Sequence, residues 1–472
     1  MRTRHFLAGA LLVGVMHAVI ATAQQPDSPS MRAADVGAAP ANHESMFNLD
    51  SLVARAITVN PALHAARARV DAARARVQPA SSLPDPMLMF GIVNQPLGSM
   101  SSPAGGMAAA SGPDPMTMRM IGVVQTLPFP GKLALRKQVE ERELDASEAS
   151  LDAARRRVVR DIKAAYYELA FIDQAFPIVE HSRDVLVSLI AVSESRYSVG
   201  AGRQEDVLRA RVEATRLAET ASGLTEQRRA GVAQLNALLD QPSETPVPLL
   251  AIPVAIARVA VPSSSNAIRF TSVALGSRAA DSPLLPLVEL QDAAIHGSPE
   301  IREHLAVLSA QAARVELARK EHLPDVDLSL QYGQRGGGLP DMVTAIVSLP
   351  IPVFKGRKQD QQVVEAAAQL AALEGEHHRM VNTIRADVAR LVSEIERERT
   401  TLALSVKAIL PQSRAALTSA TASYQVGKVE FLTVLENQAT IFTYETEYFR
   451  ALTDVATKVA ELERIVGAEV LK

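Results

Sequence analysis

Apolar positions along this chain follow two rhythms, and both rhythms occur twice in the same order. The first has a period of seven. Leu144, Leu151, Val158 and Ala165 mark one seam position, and Ile162 and Leu169 mark the other, which is coiled-coil spacing. It predicts a helix from about Gly131 to Tyr197, roughly 100 Å long at 1.5 Å per residue. Pro177 should kink it. Val199-Gly200 and Gly202 end it, and a second helix is expected from about Glu205 to Asp240. The same rhythm returns at Val381, Ile384, Val388, Leu391, Ile395 and Leu402. It predicts a helix from about Lys358 to Tyr424 with a kink at Pro411, a break at Val426-Gly427, and a last helix to Val466.

The second rhythm has a period of two. Val326, Leu328, Leu330 and Tyr332 alternate with Asp327, Ser329, Gln331 and Gly333, as in a strand with one apolar and one polar face. A softer alternation, Val343, Ala345, Val347 and Leu349, follows beyond Gly336-Gly337-Gly338. Extended pieces are expected at 325–335 and 340–350, and earlier at 86–97 and 115–128 around the turn-rich loop 98–114. A shorter helical pattern precedes each pair, at 49–77 and 287–322.

Local phrases recur in step. Asn60-Pro61-Ala62-Leu63 is echoed by Ser298-Pro299-Glu300-Ile301, Leu83-Pro84-Asp85 by Leu323-Pro324-Asp325, and Leu127-Pro128-Phe129-Pro130 by Leu349-Pro350-Ile351-Pro352. "YSVG", Tyr197 to Gly200, is echoed by "YQVG", Tyr424 to Gly427. The chain is therefore an internal duplication of helix, β-hairpin, long helix, tight turn and helix. Its period of about 230 residues lies well above that of short solenoid repeats. The predicted organisation is a leader at 1–23, a flexible lead at 24–45, a first repeat at 46–241 (β-hairpin 86–128, tip 199–202), a linker rich in Pro, Ser and Val at 242–286, and a second repeat at 287–472 (β-hairpin 325–350, tip 426–428).

Composition narrows the class. The 472 residues include no Cys, which excludes a disulfide scaffold, a thiolate metal site, a Cys nucleophile and lipidation on an N-terminal cysteine. A net charge of -3 gives no reason to expect nucleic acid as a partner. Aromatic residues at 4% suit a helical protein better than a sandwich. Arg2 and Arg4, the apolar run Phe6 to Ile20 and Ala21-Thr22-Ala23 read as a secretory signal cleaved before Gln24. No later run of 18 apolar residues predicts a membrane helix. The strands have the length of tilted barrel strands. Four cannot close a membrane barrel, and lipid tolerates no open sheet edge, so a barrel would have to be shared among several chains. A soluble sheet over a core also fits the alternation and is the commoner case; the secretory signal and the flanking design favour the barrel.

With these landmarks in order, the chain resembles the TolC family of outer-membrane efflux factors over nearly its whole mature length. The resemblance rests on the duplication, Asn60-Pro61-x-Leu63, "LPFPGK" at Leu127 to Lys132 and both Val-Gly turns. "GKVEFLTVLENQ", Gly427 to Gln438, is similar to members that serve heavy-metal pumps of the resistance-nodulation-division type. The resemblance implies a mainly α fold with a small β part. Duplicated coiled-coil hairpins would form an α-barrel tunnel, and each chain of a homotrimer would add four strands to a 12-stranded barrel in outer-membrane lipid. It places the linker and the N-terminal lead on an equatorial belt. It further implies a passive duct with no cofactor, partnered by a periplasmic adaptor protein and an inner-membrane pump.

The turns would lie at the periplasmic tip. Gly200, Asp206, Arg209, Gly427, Thr433 and Glu436 are the gate and tip candidates, and Val199, Val426, Leu208 and Leu435 the adaptor contacts. The family's acidic ring positions correspond to Thr433 and Glu436, of which only Glu436 is acidic. Three converging carboxylates would favour cations; a solvated surface Glu is the plainer reading. Seven of 13 Met residues fall between Met87 and Met120. They are read as apolar fillers of the lipid face, with Met116, Met118 and Met120 alternating with Thr117 and Arg119, against a soft-metal route as the alternative. His296, His304, His322, His377 and His378 are scattered and propose no metal site, and no nucleophile motif or P-loop proposes an enzyme. Drug efflux or type I protein secretion, and a soluble periplasmic scaffold, are the competing functions.

Overall fold

The computed structural model describes residues 48–94, 117–253, 256, 284–335 and 339–471. The expected leader, the N-terminal lead, the whole loop 98–114, the centre of the linker and Gly336 to Gly338 lie outside the described residues.

Two short helices open the first repeat, α1 (Leu49–Val59) and α2 (Pro61–Ser81). Asn60 separates them. Its side chain accepts from the Ala62 N–H at 3.0 Å and donates to the Leu238 carbonyl at 2.9 Å, capping α2 while Pro61 fills the first helical position. Strands β1 (Met87–Val93) and β2 (Met118–Leu127) follow, then α3 (Lys132–Ser198) and α4 (Gln204–Leu238). The second repeat supplies α5 (Leu287–Gly297), α6 (Pro299–Lys320), β3 (Val326–Arg335), β4 (Met342–Ser348), α7 (Gln359–Leu404), α8 (Leu410–Gln425) and α9 (Phe431–Val466). Asn60 and Ser298 have identical backbone angles, φ -63° and ψ 124°, so the duplication extends to single residues.

The two prolines sit in different backbone. Pro177 sits inside α3 without ending it. The second long helix is interrupted by a π-helical turn, Ser405–Ile409, just ahead of Pro411. Proline has no N–H, and its ring crowds the carbonyl four residues back, here that of Lys407. Widening the ladder there accommodates it.

The strands form one antiparallel sheet in the order β1-β2-β3-β4. The central pair joins the two repeats, with Ile121 opposite Tyr332 and Val123 opposite Leu330. The helices bury their seams in two clusters. One gathers Leu52, Leu63, Ile162, Leu169, Leu235, Leu290, Ile395 and Leu462. The other gathers Phe171, Leu186, Leu189, Ala210, Tyr424, Phe431 and Val434 towards the Val-Gly turns. Seam positions Val158, Ile162, Ala165 and Leu169 are buried, whereas Leu144 and Leu151, nearer the sheet, are half-buried. No described helix is long and apolar enough to cross a membrane.

Candidate functional site

The two Val-Gly turns share one backbone. Gly200 and Gly427 take φ of 74° and 75°, the left-handed conformation open to glycine. The next residue in each copy donates back five positions, Ala201 to the Arg196 carbonyl and Lys428 to the Ser423 carbonyl, both at 2.9 Å. That is a Schellman-type helix end. Val199 and Val426 protrude beside the glycines, both strongly exposed.

Arg196, which the sequence did not single out, ties the tips together. Its guanidinium donates to the carbonyls of Tyr424 at 2.5 Å and Gln425 at 2.9 Å, and to that of Ala201 at 3.1 Å. It also lies 4.8 Å from the centroid of the Tyr424 ring. A cation there meets the carbonyl-rich end of α8 and the face of an aromatic ring. The Tyr424 hydroxyl donates to Asp206 at 3.4 Å. Burial raises the Tyr424 phenol above its ordinary value and the Asp206 carboxylate adds to this, while Arg196 opposes it. Tyr424 is 3% exposed and its counterpart Tyr197 49%, so equivalent tyrosines hold different places.

Of the remaining tip residues, Arg209 pairs with Glu205 within α4. Thr433 and Glu436 are exposed on α9, where their carbonyls accept from Asn437 and Thr440. Leu208 is exposed, but Leu435 is only 8% exposed and belongs to the second core cluster. Leu435 therefore forms the floor of a groove rather than a free contact. That groove, about 610 Å³, runs between α4 and α9 and is walled by Leu208, Val212 and Leu432, with Arg209, Arg216 and Glu213 at its rim. Val212 and Leu432 were missed because their seam is legible only once the two helices are placed side by side.

The sheet is the second functional element. Residues directly opposite in an antiparallel ladder share a face. One face carries Leu88, Phe90, Ile92, Ile121, Val123, Leu328, Leu330, Tyr332, Val343 and Val347. It is open to the surroundings: Phe90 is 74% exposed, Val343 71% and Leu88 65%. The other face carries Thr126, Asp327, Ser329, Gln331, Thr344 and Ser348. Met87, Met89, Met118 and Met120 lie on this polar face, so the expectation of methionines on the lipid face is corrected. Arg119 shares the apolar face instead, at the strand end beside the loop; there a long side chain can reach polar surroundings.

Where sheet meets helices, Lys132 is buried and donates to Asp325 at 2.8 Å and Glu321 at 3.5 Å. Asp325 also accepts from the Phe129 N–H at 2.9 Å. Burial pushes the Asp325 carboxyl up, but these hydrogen bonds outweigh it and leave it below its ordinary value. "LPFPGK" of one repeat is thus bolted to "LPD" of the other.

The histidines are less scattered than expected. His304 and His377 stack with centroids 5.7 Å apart, and His378 lies next to His377. Among the described residues no group of three or more His, Asp or Glu is placed to hold a metal ion.

The sequence profile described as "Outer membrane efflux protein" matches residues 52–241 and 290–468. The cobalt-zinc-cadmium resistance protein CzcC of Cupriavidus metallidurans is 21% identical over 341 residues, covering 71% of this chain and 74% of that protein. Among solved structures, the outer-membrane channel OprN superposes with a TM-score of 0.70 at 20% identity, covering 89% of this chain and 90% of that one. The outer membrane protein VceC of Vibrio cholerae superposes with 0.68 at 19% identity, covering 89% and 96%.

Proposed function

The chain belongs to the outer membrane efflux protein family, and from that premise we propose that it is the duct through which a tripartite system passes heavy-metal cations. It is an outer-membrane efflux channel that extends into the periplasm, and it is not an enzyme. One observation carries the duct reading. The sheet gathers most of its large apolar residues on one exposed face and most of its polar residues on the other, with Arg119, Gln125 and Gln334 as exceptions on the apolar face. In water that arrangement leaves a large uncovered apolar patch, which monomeric soluble proteins rarely show. In lipid it is the required one, apolar outward and polar towards a wet lumen. A soluble periplasmic scaffold has no use for it.

Four strands with edges at β1 and β4 must be closed by further copies, because lipid does not tolerate a free edge. A homotrimer closes twelve. The half-buried upper seam of α3 then meets a neighbouring chain. A wide, wet duct selects little, so the choice of cargo belongs to an inner-membrane pump of the resistance-nodulation-division type. The metal assignment is supported by the likeness to CzcC and by the phrase from Gly427 to Gln438. The tips form the periplasmic mouth, with Glu436 as the candidate cation-selecting group. The groove between α4 and α9, with Val199 and Val426 beyond it, receives an adaptor of matching apolar and charged pattern. After carbonate extraction the protein should stay with the outer membrane, and in planar bilayers it should conduct. Release by carbonate refutes the duct. Cells lacking the protein should retain cobalt, zinc or cadmium, and unchanged metal content with raised drug content refutes the cargo.

A further inference from the structure

The methionines of the sheet are the feature that a passive duct leaves unexplained. The ladder register places them around glycines on the polar face. Met120 lies opposite Gly91 on one side and Gly333 on the other, Gly333 lies opposite Met342, and Met89 lies opposite Gly122. The Met118 thioether lies across Gly333, with its Sδ 2.8 Å from where a Cβ would stand. A side chain at 333 would occupy the space that the sulfur fills. Glycine within a strand weakens it and marks a site of close approach. Here what approaches is a thioether, and Met118, Met120 and Met342 converge on one glycine.

This cluster sits at the loop end of the sheet, where the described strands end at Val93, Met118, Arg335 and Met342. In the duct that is the exit end. The nearby charges are already engaged: the Arg335 guanidinium donates to the Pro340 carbonyl at 3.1 Å, and Asp341 accepts from the Tyr332 hydroxyl. Neutral sulfur ligands are therefore the chemistry on offer. Elsewhere on this face apolar volume is supplied by Val124 and Ile346, so thioethers are gathered around Gly333 where branched side chains serve further along the strands. Thioethers bind soft cations and discriminate against harder divalent ions, and Cu(I) is the biological metal that suits them. Without a thiolate or carboxylate the hold is weak enough to release, as conduction requires.

We propose that Met118, Met120 and Met342, with Met89 beside them, form a thioether way-station for a soft monovalent cation, Cu(I) or Ag(I), on the luminal face at the barrel exit. The proposal rests on the duct reading and adds soft monovalent cations to the divalent cargo proposed above. The test uses the purified full chain in detergent, with silver nitrate as the probe. The wild type should bind about one Ag(I) per chain in a sulfur-only shell seen by X-ray absorption. The triple variant Met118→Leu, Met120→Leu, Met342→Leu keeps volume and apolarity, and it should bind Ag(I) at least about tenfold more weakly. Met380→Leu, on a helix far along the chain, should change nothing. If the triple variant is not recovered, Met120→Leu alone should lower the affinity. Zinc should not compete for the site. Absence of silver binding in the wild type, equal binding in the variants, or displacement by zinc overturns the site. The same preparations go into planar bilayers. Conduction without silver binding removes the way-station and leaves the duct; failure of the wild type to conduct removes the duct itself.

Discussion

Replacing Arg196 with Ala should loosen the mouth of the channel. The side chain crosses from the first hairpin to the second through two hydrogen bonds to carbonyls and one ring contact. A hydrogen bond from a charged donor contributes about 1.5–3 kcal/mol when well shielded. Here the tip is wet, so about 1 kcal/mol for each is a better figure. The cation–π contact adds about 0.5–1 kcal/mol. Truncation also frees the guanidinium's own desolvation, and the net loss should be about 2 kcal/mol. That shifts the balance between docked and undocked tips about 30-fold. Single-channel recording in planar bilayers reads this as time spent at high conductance. Arg196→Lys keeps the charge but offers one point donor in place of a planar fork, so it should fall between the wild type and Ala. Arg229→Ala removes only a surface pair with Glu226 and should be silent. If Arg196→Ala gates like the wild type, the tip contact does not hold the mouth.

Other consequences are more local. Lys132→Met should cost about 2–3 kcal/mol in thermal unfolding, because it takes the cation from the Asp325 carboxylate, while Glu321 keeps Arg136; adding Asp325→Asn should recover part of the loss, and no recovery would deny the coupling. His377 is held below its ordinary value by burial first, then by the positive charge of His304 and His378. Its contribution is complete above the unfolded value near 6.5 and is lost as pH falls through the lower folded value. Protection factors of α6 and α7 amides, which allow for the slower intrinsic exchange in acid, should therefore be lower at pH 5 than at pH 7, and His377→Gln should remove that difference. Glu436→Lys should reduce the cation preference of single channels; unchanged selectivity removes the proposed ring.

The two rhythms made the elements legible, because each period belongs to one secondary structure and the duplication let every landmark be read twice. Strand β3 runs where its alternation placed it, from Val326 to Arg335. What stayed illegible was long-range. Lys132 and Asp325 meet across 193 residues, and nothing local marks a lysine that will be buried. Arg196 reads as one more surface charge until α8 is set against it. The methionines misled for a sharper reason. In β2 both alternating sets are largely apolar, Met118 and Met120 against Ile121 and Val123. Only the register with β3, where polar residues mark the lumen, decides which set faces inwards.

Duplication gave both hairpins one backbone, and the tip functions because their side chains no longer match. Were both copies to carry an arginine at 196 and its equivalent, two cations would face two helix ends and neither would be preferred. Instead the second copy has Ser423 there, and its helix end offers the Tyr424 and Gln425 carbonyls to the first copy's Arg196. The partner of Tyr424 is Asp206, whose equivalent is Thr433. One hairpin thus supplies the cation and the carboxylate, and the other supplies the ring, the hydroxyl and the carbonyls. In the proposed homotrimer, hairpins of the two kinds would alternate around the axis. If the tips gate the duct as proposed, opening would break the Arg196 and Asp206 contacts to the second hairpin, while α3 keeps its packing against α4. A symmetric pair would offer two equal contacts; the divergence of the repeats leaves one set, with its cation on the first hairpin and its carbonyls on the second.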